Sequence, residues 1–205
     1  KRKEVDEFRF NSFVLNCFIK NKYIFIICSD TINIISIETL KILERISTFD
    51  NPSGVCAISS AIDKYILTWP DLAKGKIAIK DFSQLKNSSI AISTQNSINN
   101  SIFGKKLSLK AHESNITKLS LNKDGTMLAT ASDRGAVIRV FNTETGKIIQ
   151  ELRRGNGDAK IYSINFSYDN KYVGLTSDRG TVHIFVTNTS NLNENSLNSS
   201  INNKK

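Results

Sequence analysis

Three short phrases follow one another in the second half of the chain: Ser132-Asp133-Arg134-Gly135, Leu152-Arg153-Arg154-Gly155 and Ser177-Asp178-Arg179-Gly180. The first and third each close one apolar run and open another, Leu128-Ala129-Thr130-Ala131-Ser132 before Ile138-Arg139-Val140-Phe141, and the run ending at Thr176 before Thr181-Val182-His183-Ile184-Phe185. Asp bonds its local backbone and glycine takes positive φ at little cost, so each phrase reads as a hairpin turn. Two similar β units therefore flank an adjacent pair of arginines.

Working outward, the same rhythm covers most of the chain. Residues 13–19, 23–28, 31–37 and 41–46 form four short runs rich in Ile, Val and Phe, broken by Lys20-Asn21-Lys22 and Ser29-Asp30. A second group holds 55–59, 65–69 and 76–82, with 107–111 as its last member, and the lone Trp69 reads as a packed core aromatic. A third has 116–121, 127–132, 137–142 and 147–152, with the hairpin Thr143-Glu144-Thr145-Gly146; a fourth offers 161–166, 172–176 and 181–186. Units of four short strands at a spacing of about 40 to 45 residues are the signature of an all-β fold, the WD-repeat-type β-propeller. The blades are predicted at 8–48, 54–111, 116–154 and 160–186. Residues 83–104 are Ser/Asn/Gln-rich and too polar to pack, which predicts a disordered insert, and 187–205 read as a low-complexity loop or tail. Four blades could close as a small ring.

The 205 residues carry a net charge of +9, which favours anionic partners: nucleic acid, acidic proteins or an anionic membrane surface. Cys17, Cys28 and Cys56 lie inside apolar runs without metal-ligand spacing, as buried reduced thiols of a cytosolic protein would. No apolar run reaches the length of a membrane span, and Lys1-Arg2-Lys3-Glu4 has no signal-like segment. With two histidines, His112 and His183, and dispersed cysteines, no zinc site is expected. Ser177, His183 and Asp178 could be written as a triad, but no nucleophile elbow surrounds any serine, so no enzyme and no cofactor are expected.

Chemistry concentrates on Arg153 and Arg154. Guanidinium matches phosphate bidentately, and adjacent strand residues point to opposite sides, so the pair can serve two pockets. The repeat supplies further donors at matching offsets. The third blade offers Thr130 and Ser132 on one face, Arg139 on the next strand and His112 just ahead; the fourth offers Ser163, Ser177, Thr181 and His183. Hydroxyls beside basic groups suit an inositol phosphate. Aligning Val140-Phe141 with Ile184-Phe185 sets Arg139 opposite His183 and leaves one extra residue in the third blade, predicted as a bulge. An imidazole beside a dianionic phosphate is expected to have its pKa raised, so binding should strengthen as pH falls.

From Ala111-His112 through Ile161-Tyr162-Ser163 to Phe185, these residues resemble the PROPPIN family of phosphoinositide-binding propellers. The resemblance implies a ring of seven blades, of which this chain holds about four, the two basic-site blades being fifth and sixth. It implies binding of phosphatidylinositol 3-phosphate or 3,5-bisphosphate, no catalysis, and a cytoplasmic scaffold peripheral on autophagosomal or endosomal membranes with autophagy or trafficking proteins as partners and no nucleic acid. The family's Gly-Thr is present as Gly180-Thr181 but replaced by Gly135-Ala136, which predicts a weaker third-blade pocket. By the same resemblance the tail begins at a membrane-dipping loop, where Leu192, Leu197 and Ile201 are too scattered for an amphipathic anchor. A generic WD-repeat scaffold binding acidic proteins or RNA through diffuse charge is the competing expectation.

Overall fold

The computed structural model describes residues 6–83 and 104–187, so most of the expected insert and tail fall outside the described residues. The described chain is all β, in four antiparallel sheets. The first sheet holds β1 (Val14–Lys20), β2 (Tyr23–Cys28), β3 (Thr31–Ser36) and β4 (Ile42–Ser47). The second holds β5 (Ala57–Ile58), β6 (Ile66–Pro70), β7 (Lys76–Asp81) and β8 (Leu107–Lys110). The third comprises β9 (Ile116–Leu121), β10 (Met127–Ser132), β11 (Val137–Asn142) and β12 (Ile148–Arg153); the fourth comprises β13 (Ile161–Phe166), β14 (Tyr172–Ser177) and β15 (Val182–Val186). Each sheet is a meander in chain order, a propeller blade. The repeat extends to its irregularities, because the first two strands of three blades slip register at matching places, between Val14 and Asn16, Ala131 and Ser132, and Ile161 and Ser163.

A blade between two others must be apolar on both sides. All six residues of β10 are buried, and alternation sends them into two different seams. Met127, Ala129 and Ala131 join Ile138, Val140 and Leu152 against Ile161, Ile164, Val173 and Leu175 of the fourth blade. Leu128 joins Ile116 and Phe141 against Ile66, Ile77 and Ile79 of the second. The first seam packs Phe25, Ile27, Ile32 and Ile34 against Tyr65, Leu67, Phe82 and the fully buried Trp69. Each such buried side chain contributes about 1.5–3 kcal/mol, so the seams carry much of the fold's stability. On the far side of β15, Val182, Ile184 and Val186 are exposed.

The turn between second and third strands ties each of the first three blades to the chain entering the next. In the second blade Gly75 O accepts from Ala111 N at 2.9 Å and His112 N at 3.0 Å; in the third, Arg134 O accepts from Ala159 N at 2.9 Å. Gly75 and Gly135 have φ of 71° and 61°, and a Cβ on either would lie 1.9 Å from the carbonyl oxygen of His112 or Ala159. Gly180 has the same kind of φ, 65°, but among the described residues nothing stands within 4 Å of its Cβ position. Gly135→Ala is therefore expected to destabilise the protein by about 2 kcal/mol or more, combining left-handed strain with a backbone clash, and Gly180→Ala by about 1 kcal/mol from strain alone. Urea unfolding of the two variants checks this, and equal losses would mean that the Gly135 contact is not made.

Candidate anion-binding site

The site grows from the register of the third blade. Thr130 lies opposite Arg139, and Arg139 opposite Glu151, so these three form one rung across β10, β11 and β12 on a single face. Arg153, two residues past Glu151 and opposite Val137, shares that face, which is the side turned to the second blade. His112, on the linker from the second blade, closes the set from behind, its Nε2 2.8 Å from Thr130 Oγ1. That hydroxyl also lies 3.3 Å from Arg139 O, a second acceptor within its reach. The Arg139 guanidinium donates from Nε to Glu151 Oε1 at 2.6 Å and from Nη1 to Ala111 O at 2.6 Å.

Burial divides this group. His112, Thr130 and Ser132 are at most 5% exposed, whereas Arg153 stands in solvent and the Arg139 and Glu151 side chains are 29% and 40% exposed. Arg139, first by its hydrogen bond and then by its charge, holds the Glu151 carboxyl below its usual range, with Arg153 adding a smaller pull. Burial, reinforced by the Arg139 charge, pushes the His112 imidazole down to about 4. In the free protein this favours the neutral imidazole of His112 near neutral pH, so the positive charge expected of it beside a phosphate would have to be drawn in by the bound anion.

Arg154 turns the other way. Its Nε donates to Gly135 O at 3.0 Å and its Nη2 to Gly157 O, bracing residues 155–158 at the seam with the fourth blade. On that blade Leu175 faces the third blade's core and lies opposite His183, so His183 shares the seam-facing side. Thr181 Oγ1 is 3.1 Å from His183 Nε2, the imidazole stacks on Phe185 with centroids 6.2 Å apart, and Ser177 is buried on the same side. Ser163 is not brought to this set. The register slip at Tyr162 reverses its side, and its hydroxyl lies 2.9 Å from Thr176 Oγ1, on the opposite face.

Two alignment expectations change. Thr130 opposes Arg139 and Leu175 opposes His183, which supports pairing those two positions, but β10 and β11 run without interruption. The extra third-blade residue is taken up in the connection 132–137, against 177–181 in the fourth blade, and not in a strand bulge. Counted from the ladders, Val137 and not Ala136 corresponds to Thr181. Sequence reasoning also missed Glu151, although its spacing of two from Arg153 placed both on one face. Arg179 was missed as well; it donates from Nη2 to Asp158 O at 2.7 Å and so braces the same linker as Arg154. Asp178 Oδ1 accepts from Lys160 N at 3.1 Å and Ser177 Oγ from Arg179 N at 3.4 Å, while His183 Nε2 has Thr181 Oγ1 as its neighbour. Among the described residues no three His, Cys, Asp or Glu side chains group as metal ligands, and no helix is long and apolar enough to cross a membrane.

The buried imidazole gives a pH signature. In the unfolded chain His112 takes up a proton near 6.5, in the folded chain near 4, so the unfolded state binds more protons in between. Stability from this group is complete above pH 6.5 and declines as pH falls toward 4, by on the order of 3 kcal/mol. Chemical denaturation at pH 7.5, 5.5 and 4.5 should show a steeper loss in the unmodified protein than in His112→Gln; parallel curves would contradict the buried neutral state.

Comparison with known proteins agrees with this architecture. The sequence profile of the PROPPIN family matches residues 1–202. The chain is similar to autophagy-related protein 18 of Komagataella pastoris, 34% identical over 204 residues that cover 90% of this chain and 38% of the relative. It is also similar to autophagy-related protein 18 of Dictyostelium discoideum, 34% identical over 191 residues, 93% of this chain and 46% of the relative. It thus spans less than half the length of these two relatives. Among solved structures, Kluyveromyces lactis Hsv2 with complete loop 6CD superposes with a TM-score of 0.75 at 23% identity, over 94% of this chain and 54% of that one, a likeness of fold. With the profile matched along nearly its whole length, the chain belongs to the PROPPIN family.

Proposed function

We propose that this chain is the lipid-reading part of a phosphoinositide effector: a non-catalytic propeller that binds two 3-phosphorylated inositol headgroups, one at each seam of the third blade. The observation that carries the reading is the departure of Arg153 and Arg154 to opposite sides of β12, toward the second and the fourth blade. At the first seam Arg153 and Arg139 supply charge; at the second Arg154 supplies charge, with Thr181 and His183 beside the blade edge as hydroxyl and imidazole partners. Ser132 and Ser177 sit beneath these groups as buried hydroxyls. Phosphatidylinositol 3-phosphate and 3,5-bisphosphate are the ligands proposed. The whole protein then acts as a scaffold that is cytoplasmic until recruited to autophagosomal or endosomal membranes, where autophagy or trafficking proteins meet it. A net charge of +9 helps to hold it on an anionic surface.

The test is headgroup-resolved liposome flotation of the 205-residue chain. It should float with phosphatidylinositol 3-phosphate vesicles and stay soluble with phosphatidylserine alone, where a scaffold acting through diffuse charge would treat the two alike. Arg153→Thr with Arg154→Thr should weaken recruitment on the order of a hundredfold, because each seam loses a bidentate basic contact to phosphate. Arg153→Thr alone touches no bond that braces residues 155–158 and should retain the fold while losing one site. Undiminished flotation by a folded double variant would end the paired-site reading.

A further inference from the structure

Glu151 is an acidic side chain in the middle of a site read as anion-binding. It stands directly opposite Arg139 and two residues from Arg153, on their face of the blade, and bonds Arg139 Nε at 2.6 Å. An arginine can grip a phosphate bidentately along two edges, through Nε with Nη2 or through Nη1 with Nη2. In this structure the single hydrogen of Nε is taken by the Glu151 carboxylate, which closes the Nε–Nη2 edge, while Nη1 gives one of its two hydrogens to Ala111 O. A phosphate can therefore take the Nε–Nη2 edge only if Glu151 leaves, and at the Nη1–Nη2 edge it meets a guanidinium whose charge is already shared with that carboxylate. The Ala111 carbonyl belongs to a backbone held by Gly75, whereas the Glu151 side chain is part-exposed and rotatable. The group that yields is Glu151.

Resting on the phosphoinositide reading above, we propose that Glu151 is a built-in competing anion: it occupies Arg139 in the free protein, weakens the third-blade site for phosphorylated inositol headgroups, and swings away when a phosphate takes the Nε–Nη2 edge of Arg139. Its carboxylate cancels one of the two guanidinium charges on that face. Glu151 thereby sets the inequality of the two seams more than the missing hydroxyl at Ala136 or Val137 does. A purely positioning role, in which the carboxylate aims Arg139 at its ligand, predicts the opposite sign when the charge is removed.

Glu151→Gln keeps the size of the side chain and an oxygen that can accept from Arg139, while removing the charge. With the 205-residue chain on phosphatidylcholine vesicles holding phosphatidylinositol 3-phosphate, Glu151→Gln should bind about fivefold tighter than the unmodified protein, the effect of one unit of charge at a lipid surface. Soluble inositol 1,3-bisphosphate should show the same order, which separates the headgroup from the bilayer as the source of the gain. Adding Arg139→Gln should erase it. Equal or weaker binding by Glu151→Gln, or an equal gain on phosphatidylserine vesicles, overturns the proposal and leaves the phosphoinositide reading intact. Failure of both proteins to bind either probe removes the reading, and the proposal with it.

Discussion

A β-strand has two sides, and at the end of β12 both are in use. Leu152 is buried against the fourth blade, so Arg153 must leave toward the second and Arg154 toward the fourth again. No loop has to be shaped for this division. It follows from the pleat, provided that the blade is held on both sides and that its register does not slip. The pairs Thr130–Arg139 and Arg139–Glu151 fix that register, and a shift of one residue would bury the charges and expose Leu152.

The seams that enforce this are dry and apolar where β10 passes through, and polar at the rim where linkers meet turns. The rim bonds are mostly backbone to backbone, which makes them insensitive to side-chain identity except where glycine permits the approach. Arg154 and Arg179 add guanidinium bonds to carbonyls of residues 155–158, so the basic groups of the second seam also hold the linker on which that seam depends. At the first seam the basic group is held differently, between a backbone carbonyl and a carboxylate, and the carboxylate makes that grip adjustable. The same geometry that prepares Arg139 for an anion thus supplies one in advance.

The strands were legible because the chain alternates cleanly and marks its turns with Ser-Asp-Arg-Gly; sheets and predicted runs agree within a few residues, the shrunken β5 differing most. Legibility ended where a single residue decides a face. The slip at Tyr162 turns Ser163 away from His183, and nothing local in Ile161-Tyr162-Ser163 announces it. The extra residue near Gly135 could go into a turn or a strand, and only the ladder chooses. His112 looked like a ligand because it precedes the blade; its burial depends on Gly75, far earlier in the chain, whose carbonyl holds its backbone. Glu151 went unread for another reason: attention to cations in a basic protein passes over the carboxylate between them.

The central claim is two separate anion sites, one on each side of a single strand end. Calorimetric titration of the 205-residue chain with soluble inositol 1,3-bisphosphate tests it most directly, because stoichiometry does not depend on a membrane. Two headgroups per chain, reduced to one by Arg153→Thr and to one by Arg154→Thr, is the result this geometry predicts. A single headgroup per chain, lost with either arginine, would contradict it, since the two side chains would then be gripping one ligand from a shared side.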